Sequence, residues 1–119
     1  MALKLSTREV QGVTVVEAVG RIVLGEETNT LREQVKEMLA NGKKKIVLNL
    51  GQIDFIDSSG LGALVGLYST AGAQGAQIRL SNITKRFHEL LQITKLLTVF
   101  DVYQNEELAV SSFNKAAGV

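Results

Sequence analysis

From Ser58 to Gln77 the chain carries no charged residue. A run of that length must either cross a membrane as a helix or be enclosed by the rest of the protein. A lipid-facing helix needs about 20 predominantly apolar residues. This run includes Ser58, Ser59, Ser69, Thr70, Gln74 and Gln77 together with Gly60, Gly62, Gly66, Gly72 and Gly75, too polar for lipid. It predicts a soluble protein with a helix buried against a sheet and no direct membrane insertion. Leu61, Leu64, Val65 and Tyr68 follow a helical period, while Ala63 and Leu67 cover another side. The helix from Ser59 to about Ala73 should therefore be the most enclosed of the chain, with Gly72 and Gly75 ending it. Gly62 and Gly66, one turn apart, suit close packing of that helix on a sheet.

The flanking sequence supplies the sheet. Val13 to Val19 is rich in β-branched residues and ends at Gly20, and Lys45 to Leu50 reads as a strand buried on at least one side. Leu3 to Arg8 predicts a short edge strand, Arg21 to Leu24 continues extended, and Gly25 breaks it. From Thr28 to Asn41, Leu31, Val35, Met38 and Leu39 share one helical face, and Asn41-Gly42 supplies the stop. Gln77 to Leu80 predicts a short strand, and Thr84 to Gln92 a helix facing inward with Phe87, Leu90 and Leu91. Leu97 to Tyr103 predicts the last strand, and Asn105 to Phe113 a last helix capped by Asn105. The order implies a single α/β domain over residues 1–119. Its sheet should be mixed, of about four or five strands, with helices packed mainly on one face.

Composition narrows the function. With 119 residues and 45% hydrophobic content, the chain can bury one sizeable core and is not disordered. A net charge of +1 gives no general attraction to nucleic acid, and Lys43-Lys44-Lys45 reads as a solvated turn before a strand. The absence of cysteine removes thiolate catalysis and zinc–thiolate sites and suits a reducing compartment. The first residues, with Lys4, Arg8 and Glu9, contain no apolar stretch of signal-peptide length, so a cytoplasmic location is expected.

The junction Ile53 to Tyr68, IDFIDSSGLGALVGLY, sets Ser58 and Ser59 between Asp57 and Gly60. One reading is structural: Asp57 or Ser58 caps the helix and Gly60 eases the turn. A catalytic serine requires a base, and the single histidine, His88, belongs to a different helix. No glycine stands two residues before either serine, so the nucleophile-elbow pattern is also missing. Gly60, Gly62 and Gly66 miss the dinucleotide spacing by one residue, and no Gly-Lys-Ser/Thr phosphate loop occurs. Asp54 and Asp57 have no third ligand nearby to hold a metal. No polar cluster supports a small-molecule site between sheet and helix. The remaining reading is reception of a phosphate. A helix N-terminus carries roughly half a positive charge and free N–H donors, so the fold tolerates an added anion there. A phosphate of about −1.5 to −2 would turn the net +1 into roughly −1, a change that a docking partner would feel.

Ile46-Val47-Leu48-Asn49-Leu50 followed by Phe55-Ile56-Asp57-Ser58-Ser59-Gly60-Leu61-Gly62 resembles the signature of the STAS-domain family, the anti-sigma factor antagonists. The order of elements and Lys85-Arg86-Phe87 ahead of Leu90-Leu91 extend the likeness over nearly the whole chain. The resemblance implies a non-enzymatic partner-switching protein without a cofactor. Its unmodified form would bind an anti-sigma factor that is also a serine kinase, freeing a sigma factor. The kinase would phosphorylate Ser58, with Ser59 the second choice, and a metal-dependent serine phosphatase would reset the switch. The contact surface would comprise Asp57, Ser58, Ser59, Gly60, Leu61 and Gly62, with Glu26 and Glu27. Many members carry Gly-Glu-Leu-Asp after the second strand; here Val23 stands at that aspartate's position. The alternative is a STAS scaffold or adaptor, in a signalling assembly or as an accessory subunit of a membrane transporter.

Overall fold

A computed structural model describes residues 3–115. Two strands open the chain, β1 (Leu3–Val10) and β2 (Val13–Ile22), joined by Gln11 and Gly12 at φ 52° and 81°. Positive φ at both positions is the backbone that closes a tight antiparallel hairpin with the twist of its strands. Helix α1 (Glu26–Ala40), β3 (Lys45–Ile56), α2 (Ser58–Ala73), β4 (Gln77–Ser81), α3 (Lys85–Ile93), β5 (Asp101–Tyr103) and α4 (Glu106–Lys115) follow. The five strands lie in sequence order, with β1 antiparallel to β2 and all other neighbours parallel. The sheet is thus mixed, and every parallel step is made through a helix.

Alternation along the strands divides the core. Val16, Ala18, Ile22, Ile46, Leu48, Ile78 and Leu80 face the layer that contains α1, α2 and α3. Val13, Val15 and Val47 face the other way and meet Ala109, Val110 and Phe113 of α4. Three helices therefore cover one face and α4 the opposite one, where the Arg79 guanidinium also lies 4.0 Å from the centre of the Phe113 ring. Helix α2 buries Gly60, Leu61, Ala63, Leu64, Leu67 and Ala71, more than any other helix, as its uncharged sequence requires.

Strand β3 runs six residues beyond the expected Leu50. Its pairing with β2 slips by one residue between Asn49 and Gln52 and again between Ile53 and Phe55. A bulge inverts the alternation, so Leu50 and Ile53 both reach the core although they stand three positions apart. The strand is carried in this way to the start of α2.

Helices α1, α2 and α3 end in the same motif. The second residue past the cap donates its N–H back to the third-last helical carbonyl: Lys43 to Met38, Ala76 to Ala71 and Leu96 to Leu91. The left-handed position is taken by Gly42, by Gly75 and, in α3, by Lys95 at φ 63°. This last turn corrects the expectation of a strand from Leu97. The N–H groups of Leu97, Val99 and Phe100 bond to Leu91 and Leu96 carbonyls, so the segment is a series of turns and β5 begins only at Asp101.

Candidate functional site

The parallel sheet delivers the end of β3 to the start of α2, next to the turn that follows β2. Asp57 is the residue between, with extended backbone at φ −92°, ψ −179°. Its carboxylate is shared: Oδ1 accepts the Gly60 N–H at 2.7 Å and Oδ2 accepts the Leu24 N–H at 3.0 Å. Its own N–H donates to the Ile22 carbonyl at 3.3 Å. One side chain thus caps α2 and holds the β2–α1 turn against it. The Leu24 N–H first, then those of Gly60 and Ser59, hold the Asp57 carboxyl below its ordinary range, outweighing partial loss of water. Gly60 is fixed by proximity, since a Cβ there would lie 2.0 Å from the Ile22 oxygen.

With Asp57 serving as cap, the serines are spared that duty. Ser58 is the first residue of α2 and is exposed; Ser59 is half-buried. Among the described residues neither hydroxyl hydrogen-bonds within the chain. Gly60 and Leu61 are buried and shape the turn from beneath. Gly62 and Gly66 are exposed, with nothing within 4 Å of a Cβ at either, which corrects the expectation that they serve close packing on the sheet. They follow Ser58 at helical spacing and give α2 a smooth, small outer face.

The acidic pair expected beside the serines is less central. Glu26 and Glu27 open α1 and line a groove with Leu3, Leu5, Thr30 and Gln34, on the side of β1. Neither takes part in the hydrogen bonds at Asp57. Val23 contributes only its carbonyl, which accepts from the Thr28 N–H at 3.3 Å. Among the described residues no group of three His, Cys, Asp or Glu side chains is placed to hold a metal, and no helix is long and apolar enough to cross a membrane. His88 lies toward β5, lining a cleft with Leu97, Phe100 and Tyr103.

Sequence reasoning missed two apolar residues at this junction. Leu24 is 73% exposed and Phe55 is 47% exposed. Leu24 is held outward by the bond from its N–H to Asp57, and Phe55 follows the second bulge of β3. Neither position is marked by local pattern, because exposure here is set by the bulge and by a hydrogen bond that the Leu24 N–H donates to a residue distant in sequence.

The STAS domain family description matches residues 4–109, and the chain belongs to that family. The anti-sigma F factor antagonist of Paenibacillus polymyxa is 28% identical over 112 residues, 93% of this chain and 95% of that protein. Among solved structures, an anti-sigma factor antagonist from Mycobacterium paratuberculosis superposes with a TM-score of 0.79 at 20% identity, covering 92% of both chains. SpoIIAA of Bacillus, solved in its phosphorylated form, gives 0.70 at 19% identity, covering 92% of this chain and 99% of that one. These likenesses show the same fold.

Proposed function

We propose that this chain is an anti-sigma factor antagonist that acts by phosphorylation-controlled partner switching, as a binding module of the cytoplasm and not as an enzyme. Unmodified, it binds an anti-sigma factor that is also a serine kinase and so frees a sigma factor. Phosphorylation of Ser58 ends the complex, and a metal-dependent serine phosphatase restores it. Ser59 is the second-choice acceptor.

The observation that carries this reading is the division of labour at the α2 start. Asp57 caps the helix, so the Ser58 hydroxyl is exposed and structurally idle. A phosphate there meets the positive end of α2, at little cost to the fold. The anion also stands beside the Asp57 carboxylate and in the middle of the contact surface, where a partner must strip its water to stay bound. Ser58, Ser59 and Gly62 form that surface with Asp57 at its edge, above the buried Gly60 and Leu61. Leu24 and Phe55 extend it, and Glu26 and Glu27 form its outer rim. The match over nearly the full length of the P. polymyxa antagonist supports this reading over a scaffold or transporter subunit.

The test is a pair of variants measured against the partner kinase. Ser58→Glu and Ser58→Ala should melt like the native chain. Ser58→Glu should bind weakly, and Ser58→Ala should bind well but resist release by ATP. Equal binding by Ser58→Glu and the native chain would falsify the switch. A large, stable homo-oligomer in light scattering would favour the scaffold instead.

A further inference from the structure

A cavity of about 190 Å³ opens between the bulged end of β3 and the first turns of α3. Its walls are apolar: Leu50, Ile53, Phe55, Ile56, Phe87 and Leu90. We infer that it receives one large apolar side chain of the protein partner, from a segment carrying an acidic residue toward Arg86 and a basic residue toward Asp54. The inference rests on the reading that the Ser58 surface faces a partner.

Volume selects the occupant. Small-molecule and cofactor sites commonly measure roughly 300–1,000 Å³, whereas an apolar cavity of about 150 Å³ stays dry and accepts a single benzene ring. At about 190 Å³ the space suits one phenylalanine, leucine or methionine side chain and is small for a nucleotide or a long acyl chain. Buried anchors of this kind concentrate the energy of protein interfaces.

Charge selects its neighbours. Asp54 and Arg86 line the cavity and both are exposed. Among the described residues the salt bridges are Arg8–Glu106 and Lys43–Glu9, so neither rim charge is paired among these residues. Thr84, also at the rim, already accepts the Phe87 N–H as the cap of α3. The rim therefore presents one unpaired charge of each sign around an apolar hole.

Position joins the cavity to the switch. Phe55 and Ile56 form part of its wall and lead directly into Asp57 and Ser58. An anchor seated here brings the partner's backbone across Ser58, where a phosphate would separate the two surfaces. Covering the exposed part of Phe55 and burying the anchor should strengthen binding by roughly tenfold to a hundredfold.

Two measurements on the full chain test this. Indole, titrated against the ¹⁵N-labelled protein, should shift amides of residues 53–56 and 84–90 in the native chain but not in Leu90→Trp, which fills the cavity. Against the serine kinase that binds the native chain, Leu90→Trp and Arg86→Glu should each weaken binding by about tenfold or more. Should Leu90→Trp fail to fold, Arg86→Glu and Phe55→Ala, both at exposed positions, carry the test. If these variants bind the kinase like the native chain while Ser58→Glu does not, the cavity inference is overturned and the Ser58 reading survives. If no anti-sigma factor kinase binds the native chain, both fall. Indole shifts elsewhere, or none at saturation, overturn the cavity alone.

Discussion

Of three glycines in α2, Gly60 meets backbone while Gly62 and Gly66 meet open space, and alanine substitution at each separates them. A Cβ at Gly60 would lie 2.0 Å from the Ile22 oxygen and 2.8 Å from its carbonyl carbon. At Gly62 and Gly66 a Cβ meets nothing within 4 Å. Replacing glycine by alanine inside a helix gains about 0.8–1 kcal/mol, chiefly backbone entropy. For Gly62→Ala and Gly66→Ala that gain of about 0.8–1 kcal/mol is the whole effect of each substitution. For Gly60→Ala it is opposed by a clash with backbone. The Ile22 carbonyl cannot retreat without straining the end of β2 and the bond it accepts from the Asp57 N–H. Overpacking costs about 1–3 kcal/mol or more, and this contact lies at the severe end, so a net loss of about 2 kcal/mol is expected. Urea unfolding followed by circular dichroism reads the series. With a slope of about 1–3 kcal/mol per molar urea, midpoints should rise by about 0.5 M for Gly62→Ala and fall by about 1 M for Gly60→Ala. A Gly60→Ala variant as stable as the native chain would refute the close approach of α2 to β2. Loss of stability in Gly66→Ala would refute the outward direction of that face.

Other perturbations bear on the remaining elements. Lys95→Gly should stabilise by about 1 kcal/mol, because a left-handed lysine there becomes a glycine that adopts the conformation freely; thermal melts decide it. Phe113→Ala should cost about 3 kcal/mol and release α4 first, visible as faster amide exchange in Val13, Val15 and Val47, with no change if α4 does not pack there. Acid should weaken the α2 start in a defined window. The Asp57 carboxyl titrates below its ordinary 3.8, so its contribution is complete above that pH and lost as pH falls through the lower folded value. Asp57→Asn should flatten stability against pH in that window, and an unchanged profile would count against the shared carboxylate. Leu24→Ser should leave the melting temperature unaltered and weaken binding to the proposed anti-sigma factor partner; the reverse pattern would make Leu24 a folding residue.

Much of the fold could be read from residue patterns, and what could not has particular causes. The uncharged stretch after Ser58 had to be the enclosed helix, and Gly42 after α1 and Gly75 after α2 marked their ends, whereas Gly72, also expected to end α2, lies within it. Helix α3 ends by the same hydrogen bonds, but Lys95 occupies the left-handed position and gives no signal. The apolar Leu96-Leu97-Thr98-Val99-Phe100 beyond it then read as strand. Bulges hid the length of β3, since each inverts the alternation by which strands are recognised. Helical period locates an apolar face but not which side of a sheet it covers, so the place of α4 opposite the other helices was invisible. At the candidate site, the junction of strand, Asp57 and serines was legible in order. Which residue caps was not, because Asp57 and Ser58 are both good caps and only geometry assigns the role. Glycine spacing on α2 likewise gave a period without a direction, and Gly62 and Gly66 point outward.

The central claim concerns the exposed hydroxyl that Asp57 leaves idle at the head of α2. Incubation of the native chain with the anti-sigma factor kinase proposed as its partner and ATP, followed by intact mass and peptide mapping, reads its modification. A single added phosphate on Ser58, absent in Ser58→Ala, is expected together with loss of the complex. A chain that binds the kinase yet stays unmodified, or that accepts phosphate elsewhere while the complex persists, would contradict it.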